Sequence, residues 1–135
     1  MQLKGIISIA AATSVCAAGI AHAGMRMSYP VAIDTAINRA TGYFSAAYNT
    51  SNRVEYIGCS MSASAGLEYG WCSATDAAGV NRSCYTMVPE ILGVIRSLET
   101  NSSIAFTWDD DGLCTAITTS QYSFADPKVW GVSTR

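Results

Sequence analysis

Tyr56-Ile57-Gly58-Cys59-Ser60-Met61-Ser62-Ala63-Ser64-Ala65-Gly66-Leu67-Glu68-Tyr69-Gly70-Trp71-Cys72 is the stretch whose reading decides the fold. Ile57, Cys59 and Met61 alternate with Gly58, Ser60 and Ser62, the period-two pattern of a half-buried strand that begins near Arg53. Ser64-Ala65-Gly66 can turn the chain, and residues 67–75 return with Leu67, Tyr69 and Trp71 on one face. Asp76-Ala77-Ala78-Gly79 is a second turn signal, followed by a short strand over 80–86. Three consecutive strands joined by short turns predict an antiparallel meander.

On the C-terminal side the period changes. Val88, Ile91, Leu92, Ile95 and Leu98 recur at intervals of three and four, and Pro89 sits where the first helical turn tolerates a missing N–H. Asn101-Ser102-Ser103 ends this amphipathic helix, whose apolar stripe needs a sheet to cover. Ile104, Phe106 and Trp108 then alternate with Ala105 and Thr107. The run Asp109-Asp110-Asp111-Gly112 contains Asp-Gly, a strong hairpin signal, and residues 113–122 return.

On the N-terminal side, residues 43–48 read as a strand closed by the turn cluster Asn49-Thr50-Ser51-Asn52. Ile33, Ala36, Ile37 and Ala40 fall at helical spacing behind Pro30, which predicts a short helix over 31–40 within an N-terminal extension, 24–41. The order from residue 42 is four strands, a helix and two strands. That argues a single α+β domain over 42–135, with an antiparallel sheet of five to six strands and one main helix on one face.

Residues 1–23 have the layout of a secretory signal peptide. Lys4 supplies the positive start, residues 5–20 form an Ala-rich apolar run, and Ala21-His22-Ala23 is a small-x-small cleavage site. The run is too short and too poor in Leu for a comfortable membrane span. Removal of this leader leaves seven Lys and Arg against ten Asp and Glu, a net charge of −3. It also removes the single histidine and Cys16, leaving Cys59, Cys72, Cys84 and Cys114. Four cysteines in an exported domain read as two disulfides. Spacing alone permits three connectivities, among which Cys59–Cys72 with Cys84–Cys114 is preferred.

The chemistry is bounded by what is missing. Without His22, Ser-His-Asp and Cys-His systems lose their base, and common zinc and copper sites lose their main ligand. With oxidised cysteines no thiolate nucleophile remains, and lysine chemistry rests on Lys128 alone. Carboxylate pairs remain, drawn from Glu55, Glu68, Asp76, Glu90, Glu99, Asp126 and the acidic run, but no spacing singles one out. Asp109, Asp110 and Asp111 are calcium candidates because hard cations take several carboxylate oxygens. The alternation and the distant Glu of an EF-hand are absent, and a hairpin turn accounts for the run.

Among the aromatic residues, Trp71 with Tyr69 and Trp108 with Phe106 are assigned to the core, while Trp130 in the polar tail is a candidate for exposure. An exposed aromatic row on a sheet would instead bind sugar rings or a protein. Arg39, Arg53, Arg82 and Arg96 are scattered on an acidic chain, which leaves no basic footprint for nucleic acid.

The segments Tyr56-Ile57-Gly58-Cys59-Ser60, Cys72-Ser73-Ala74-Thr75-Asp76-Ala77-Ala78-Gly79, Ser83-Cys84 and Phe106-Thr107-Trp108-Asp109-Asp110-Asp111-Gly112-Leu113-Cys114 resemble a group of small exported bacterial proteins of unknown function. The resemblance covers 42–128, leaves 24–41 outside, and implies no activity, cofactor or site. The expectation is a secreted or periplasmic, non-catalytic binding protein, with no cofactor and a protein or carbohydrate partner. It would act through its hairpin loops and Trp130. Two alternatives stand beside it. One is a small carboxylate-dependent hydrolase of cell-wall or other polysaccharide. The other is an inhibitor or immunity-type protein of an exported enzyme, with a protruding loop at 64–67 or 76–79.

Overall fold

The meander forms as its alternation predicts, and a second sheet packs behind it. The computed structural model describes residues 27–124. In chain order the elements are β1 (Ala32–Asp34), β2 (Arg39–Tyr43), α1 (Phe44–Asn49), β3 (Tyr56–Ser64), β4 (Leu67–Thr75), β5 (Asn81–Thr86), α2 (Pro89–Arg96), β6 (Ser103–Trp108) and β7 (Cys114–Ser120). The class is α+β with antiparallel ladders. The seven strands divide into two sheets, β1-β2-β6-β7 and β3-β4-β5, and not the single sheet that the sequence pattern predicts. The signal-peptide reading of 1–23 and the Trp130 assignment lie outside the described residues.

β3 and β4 pair from Tyr56↔Thr75 to Ser64↔Leu67, a two-residue hairpin whose tip is Ala65-Gly66. Both tip residues have positive φ, 43° at Ala65 and 85° at Gly66. That is a type I′ turn, whose twist matches the strands but which strains an alanine. The next two turns share one design. Asp76 accepts the Ala78 and Val80 amides on one carboxylate oxygen, and Gly79 takes φ +82°. Asp109 accepts the Asp111 and Leu113 amides the same way, and Gly112 takes φ +78°.

The disulfides are Cys59–Cys72 and Cys84–Cys114, the preferred pairing. The first joins register partners of adjacent strands, Cα to Cα 4.0 Å. The second ties β5 to β7 and so links the two sheets.

Two N-terminal expectations are corrected. Residues 31–40 form no helix; β1 and β2 make a hairpin, with Ile33 opposite Ala40. Asp34 turns the chain by accepting the Ala36 amide, and Asn38 adopts φ 50°. The helical stripe is not used, since Ile37 is exposed while Ala40 is fully buried opposite Phe106. The supposed extension is therefore the partner of the central strand β6. Residues 43–48 are not a strand: after Tyr43 the chain turns into α1, which buries the small residues Ser45 and Ala47 and packs on β2 and β3. Alanine favours helix and is a poor strand former, so the local preference agrees with the outcome.

α2 forms where its stripe predicts, with Val88 as N-cap and Pro89 in the first turn. Leu92 and Ile95 are buried. Full burial of each is worth about 1.5–3 kcal/mol. A Cβ at Gly70 would lie 2.8 Å from Ile95 Cδ1 and 2.9 Å from Leu92 Cδ2, so the bare backbone of β4 admits the helix. An exposed Arg96–Glu68 ion pair joins the two elements, and such surface pairs contribute little. From β6, Ile104, Phe106 and Trp108 face the core as expected, the two rings 5.8 Å apart and tilted.

Replacing Ala65 with Asn should raise stability by about 1 kcal/mol, because Asn tolerates the left-handed turn that alanine resists. Urea unfolding checks this, and a loss of stability would mean that the tip is not a type I′ turn. Removing a disulfide by paired alanine substitution should cost about 3 kcal/mol for Cys59–Cys72 and nearer 4 kcal/mol for Cys84–Cys114, whose closed loop is longer. The order of the two melting temperatures is the readout.

Candidate functional site

Strand parity sets what the meander shows to solvent. Cys59, Cys72 and Cys84 lie in register across β3, β4 and β5, and Cys72 and Cys84 are buried on the inner face. Their chain neighbours must then point outward, because successive side chains alternate. Trp71 is accordingly 41% exposed and Tyr85, its register partner, 40% exposed, with Tyr69 half-buried between them. The Trp71–Tyr69 core assignment is thereby corrected, whereas Trp108 and Phe106 are buried as expected. The sequence signal was present in Cys72 itself: a cystine in the core forces the preceding tryptophan out.

The three rings form one cluster. Tyr69 and Trp71 have centroids 6.0 Å apart and planes inclined by 27°. Tyr69 and Tyr85 are 6.4 Å apart, inclined by 52°. Such contacts favour a fixed ring arrangement. Around the cluster the outward positions carry hydroxyls: Ser60 and Ser62 on β3, Ser73 on β4, Ser83 on β5. No outward position of these strands is charged. Glu68 and Arg82 both have the opposite parity.

Beyond Ser73 the face ends in a polar cluster. The Tyr56 hydroxyl meets Ser73 Oγ at 2.9 Å and accepts from Asn81 Nδ2 at 2.7 Å. Asn81 Nδ2 also reaches Thr75 Oγ1 at 2.8 Å and the Ala74 carbonyl at 3.2 Å. The hydrogen bond from Ser73, followed by that from Thr75, holds the Tyr56 phenol below its ordinary value, against partial burial. Donors around the oxygen favour the phenolate.

The other candidate residues are not brought together. Asp109 is engaged by its own turn, where its carboxylate accepts the Asp111 and Leu113 amides. Among the described residues no three His, Cys, Asp or Glu side chains are grouped to hold a metal ion. Glu55 lines a cleft of about 760 Å³ with Arg53, but its carboxylate accepts from the Val31 amide, Thr50 Oγ1 and Asn52 Nδ2, a clamp on the loop before β3. Glu68 lines a second cleft and pairs with Arg96, and Asp109 a third. None of these clefts holds two carboxylates, so the geometry of a glycosidase pair is not assembled in them. Asp126, Lys128 and Trp130 lie outside the described residues.

In a pH titration that follows the Tyr56 ring, its phenol should ionise below its ordinary value, and Ser73→Ala should move that ionisation to higher pH. The sign follows from the lowered folded-state value. The stability due to phenolate binding is absent at neutral pH, appears as the pH climbs through the phenol range, and is lost again as the pH falls. A titration unchanged by Ser73→Ala would mean that the hydroxyl does not hold Tyr56.

No family model, no curated protein and no solved structure matches this chain.

Proposed function

We propose that the protein is an exported bacterial binding protein without a catalytic site, and that it binds through the outer face of β3-β4-β5. The observation that carries this is the cluster in which Tyr69 contacts both Trp71 and Tyr85, the latter two open to solvent, on a face whose outward strand positions carry no charge. Large exposed aromatic groupings are costly to leave in water and mark recognition surfaces. The two disulfides support passage to an oxidising compartment, the periplasm or the medium. The leader-like pattern of residues 1–23 supports the same route, and no described helix is long and apolar enough to cross a membrane.

The geometry also favours binding over catalysis. Glu55, Glu68 and Asp109 are each held by structural partners and apart from one another. A cystine under the ring cluster fixes the platform in advance, which lowers the ordering cost of association.

The test immobilises the full mature chain and exposes it to the medium, periplasmic extract and envelope fraction of the exporting cell. Retention should fall at least tenfold for the pair Trp71→Ser with Tyr85→Ser. It should be unchanged for Ile37→Ser, an exposed apolar residue on the β1–β2 turn of the other sheet. Equal retention by all three proteins, or none by the wild type, would overturn the proposal.

A further inference from the structure

We infer that the ligand of the β3-β4-β5 face is a neutral polysaccharide, lying across Tyr69 and Trp71 with its hydroxyls on the serines around them. This rests on the binding-face reading above and names its ligand class.

Charge is the first argument. Every outward position of the three strands is uncharged, whereas the same strands carry Glu68 and Arg82 on their other parity. A face selected for nucleic acid, a phosphorylated group or an anionic lipid surface would present Lys or Arg. A face selected for a cationic ligand would present carboxylates. Here the matching ligand carries neither sign.

The second argument is the interleaving of rings and hydroxyls. Ser60 stands directly opposite Trp71, Ser62 opposite Tyr69, and Ser73 opposite Ser83. A protein partner with a dry apolar patch would cover these hydroxyls and leave them without hydrogen bonds, which is unfavourable. A sugar ring satisfies both components. Its C–H face packs on an aromatic plane, and its equatorial hydroxyls reach outward to donors and acceptors beside that plane. Tyr56, Ser73 and Asn81 extend the polar row at one end of the sheet.

The third argument is shape. Tyr69 and Trp71 follow one another along β4 at 6.0 Å with planes only 27° apart, so they form a continuous strip and not a socket. A strip of two successive rings with a third alongside suits consecutive units of a chain better than one enclosed monosaccharide. The register-paired cystine Cys59–Cys72 beneath it keeps the strand from flexing as a chain docks.

Affinity electrophoresis of the full mature chain tests this, in gels containing a linear β-glucan, an α-mannan or an α-glucan, with polygalacturonate as the anionic counterpart. At least one neutral polymer should retard the wild type, equally at low salt and at 0.5 M salt (about 4 Å screening length). Trp71→Ala should weaken retardation at least tenfold, Tyr85→Ala severalfold, and Ile37→Ser not at all. Circular dichroism and native mobility in a plain gel verify that each variant is folded. The emission of Trp71 should shift on binding, and the shift should vanish in Trp71→Ala. No retardation by any neutral polymer overturns the inference. So does retardation by polygalacturonate alone, or retardation that survives both ring substitutions. If the face still captures material from native fractions and that capture is destroyed by protease but not by glycosidases, the binding-face reading stands and the polysaccharide assignment falls.

Discussion

The inward-facing row of cysteines across the meander is the constraint on which the rest of the structure depends. Cys72 is opposite Cys59 on one side and Cys84 on the other, and the row continues through Cys84 to Cys114 in the second sheet. A one-residue slip in any of these pairings would turn a sulfur toward solvent and reverse the whole strand. The Cys59–Cys72 bond forbids that slip between β3 and β4, and Cys84–Cys114 holds β5 against the second sheet. Register is thus fixed more firmly than hydrophobic patterning could fix it in strands so rich in Ser, Gly and Ala. The inner face holds little more than Ile57, Met61, Ala74 and the cystines. The sheet therefore depends on its covalent ties and on α2 for cover, with Gly70 letting Leu92 and Ile95 descend onto the backbone.

Fixing the inner face also fixes the outer one. Trp71, Tyr69 and Tyr85 are outward because Cys72, Gly70, Cys84 and Thr86 are inward, and no other arrangement satisfies the alternation. The aromatic cluster is in this sense a consequence of the cystine row, although the residue types at those positions are not. Parity would be equally content with threonine or lysine. Three contacting rings with serines around them and no charge are a choice that folding does not require. Exposed rings of this size are unfavourable in water, so a folding account alone leaves them without a cause.

Legibility followed the strength of local periodicity. The meander over 56–86, the helix beginning at Pro89 and the hairpin around Asp109 could be read because alternation, a 3–4 stripe and Asp-Gly turns each point one way. The segment 31–48 could not. Ile33, Ala36, Ile37 and Ala40 satisfy a helical spacing by count, yet Asn38 and Asp34 carry turn chemistry that the count ignores, and Ala40 is placed by pairing with Phe106, far along the chain. Tyr43 and Phe44 suggested a strand, while Ala46 and Ala47 and the loss of any ladder partner past Ser103 favoured α1. The division into two sheets is likewise nonlocal, since β2 reaches past three strands and two helices to find β6. The candidate site failed for a different reason: size and apolarity put Trp71 inside by default, but the covalent demand of its neighbour is stronger than the hydrophobic preference of one ring.

The carboxylates complete the same logic from the opposite direction. Catalysis by acid pairs needs two groups whose oxygens are free and converge. In this chain Asp34, Asp76 and Asp109 cap turns, Glu55 gathers three donors on the loop before β3, and Glu68 leans on Arg96. Each is consumed where the backbone changes direction or one element crosses another. With few residues to form a core, the domain uses its acids as turn and loop fasteners and its sulfurs as cross-ties. Each of these five acids is thus held by its own partner, while the rings of Tyr69, Trp71 and Tyr85 stand on the uncharged outward positions of β3-β4-β5.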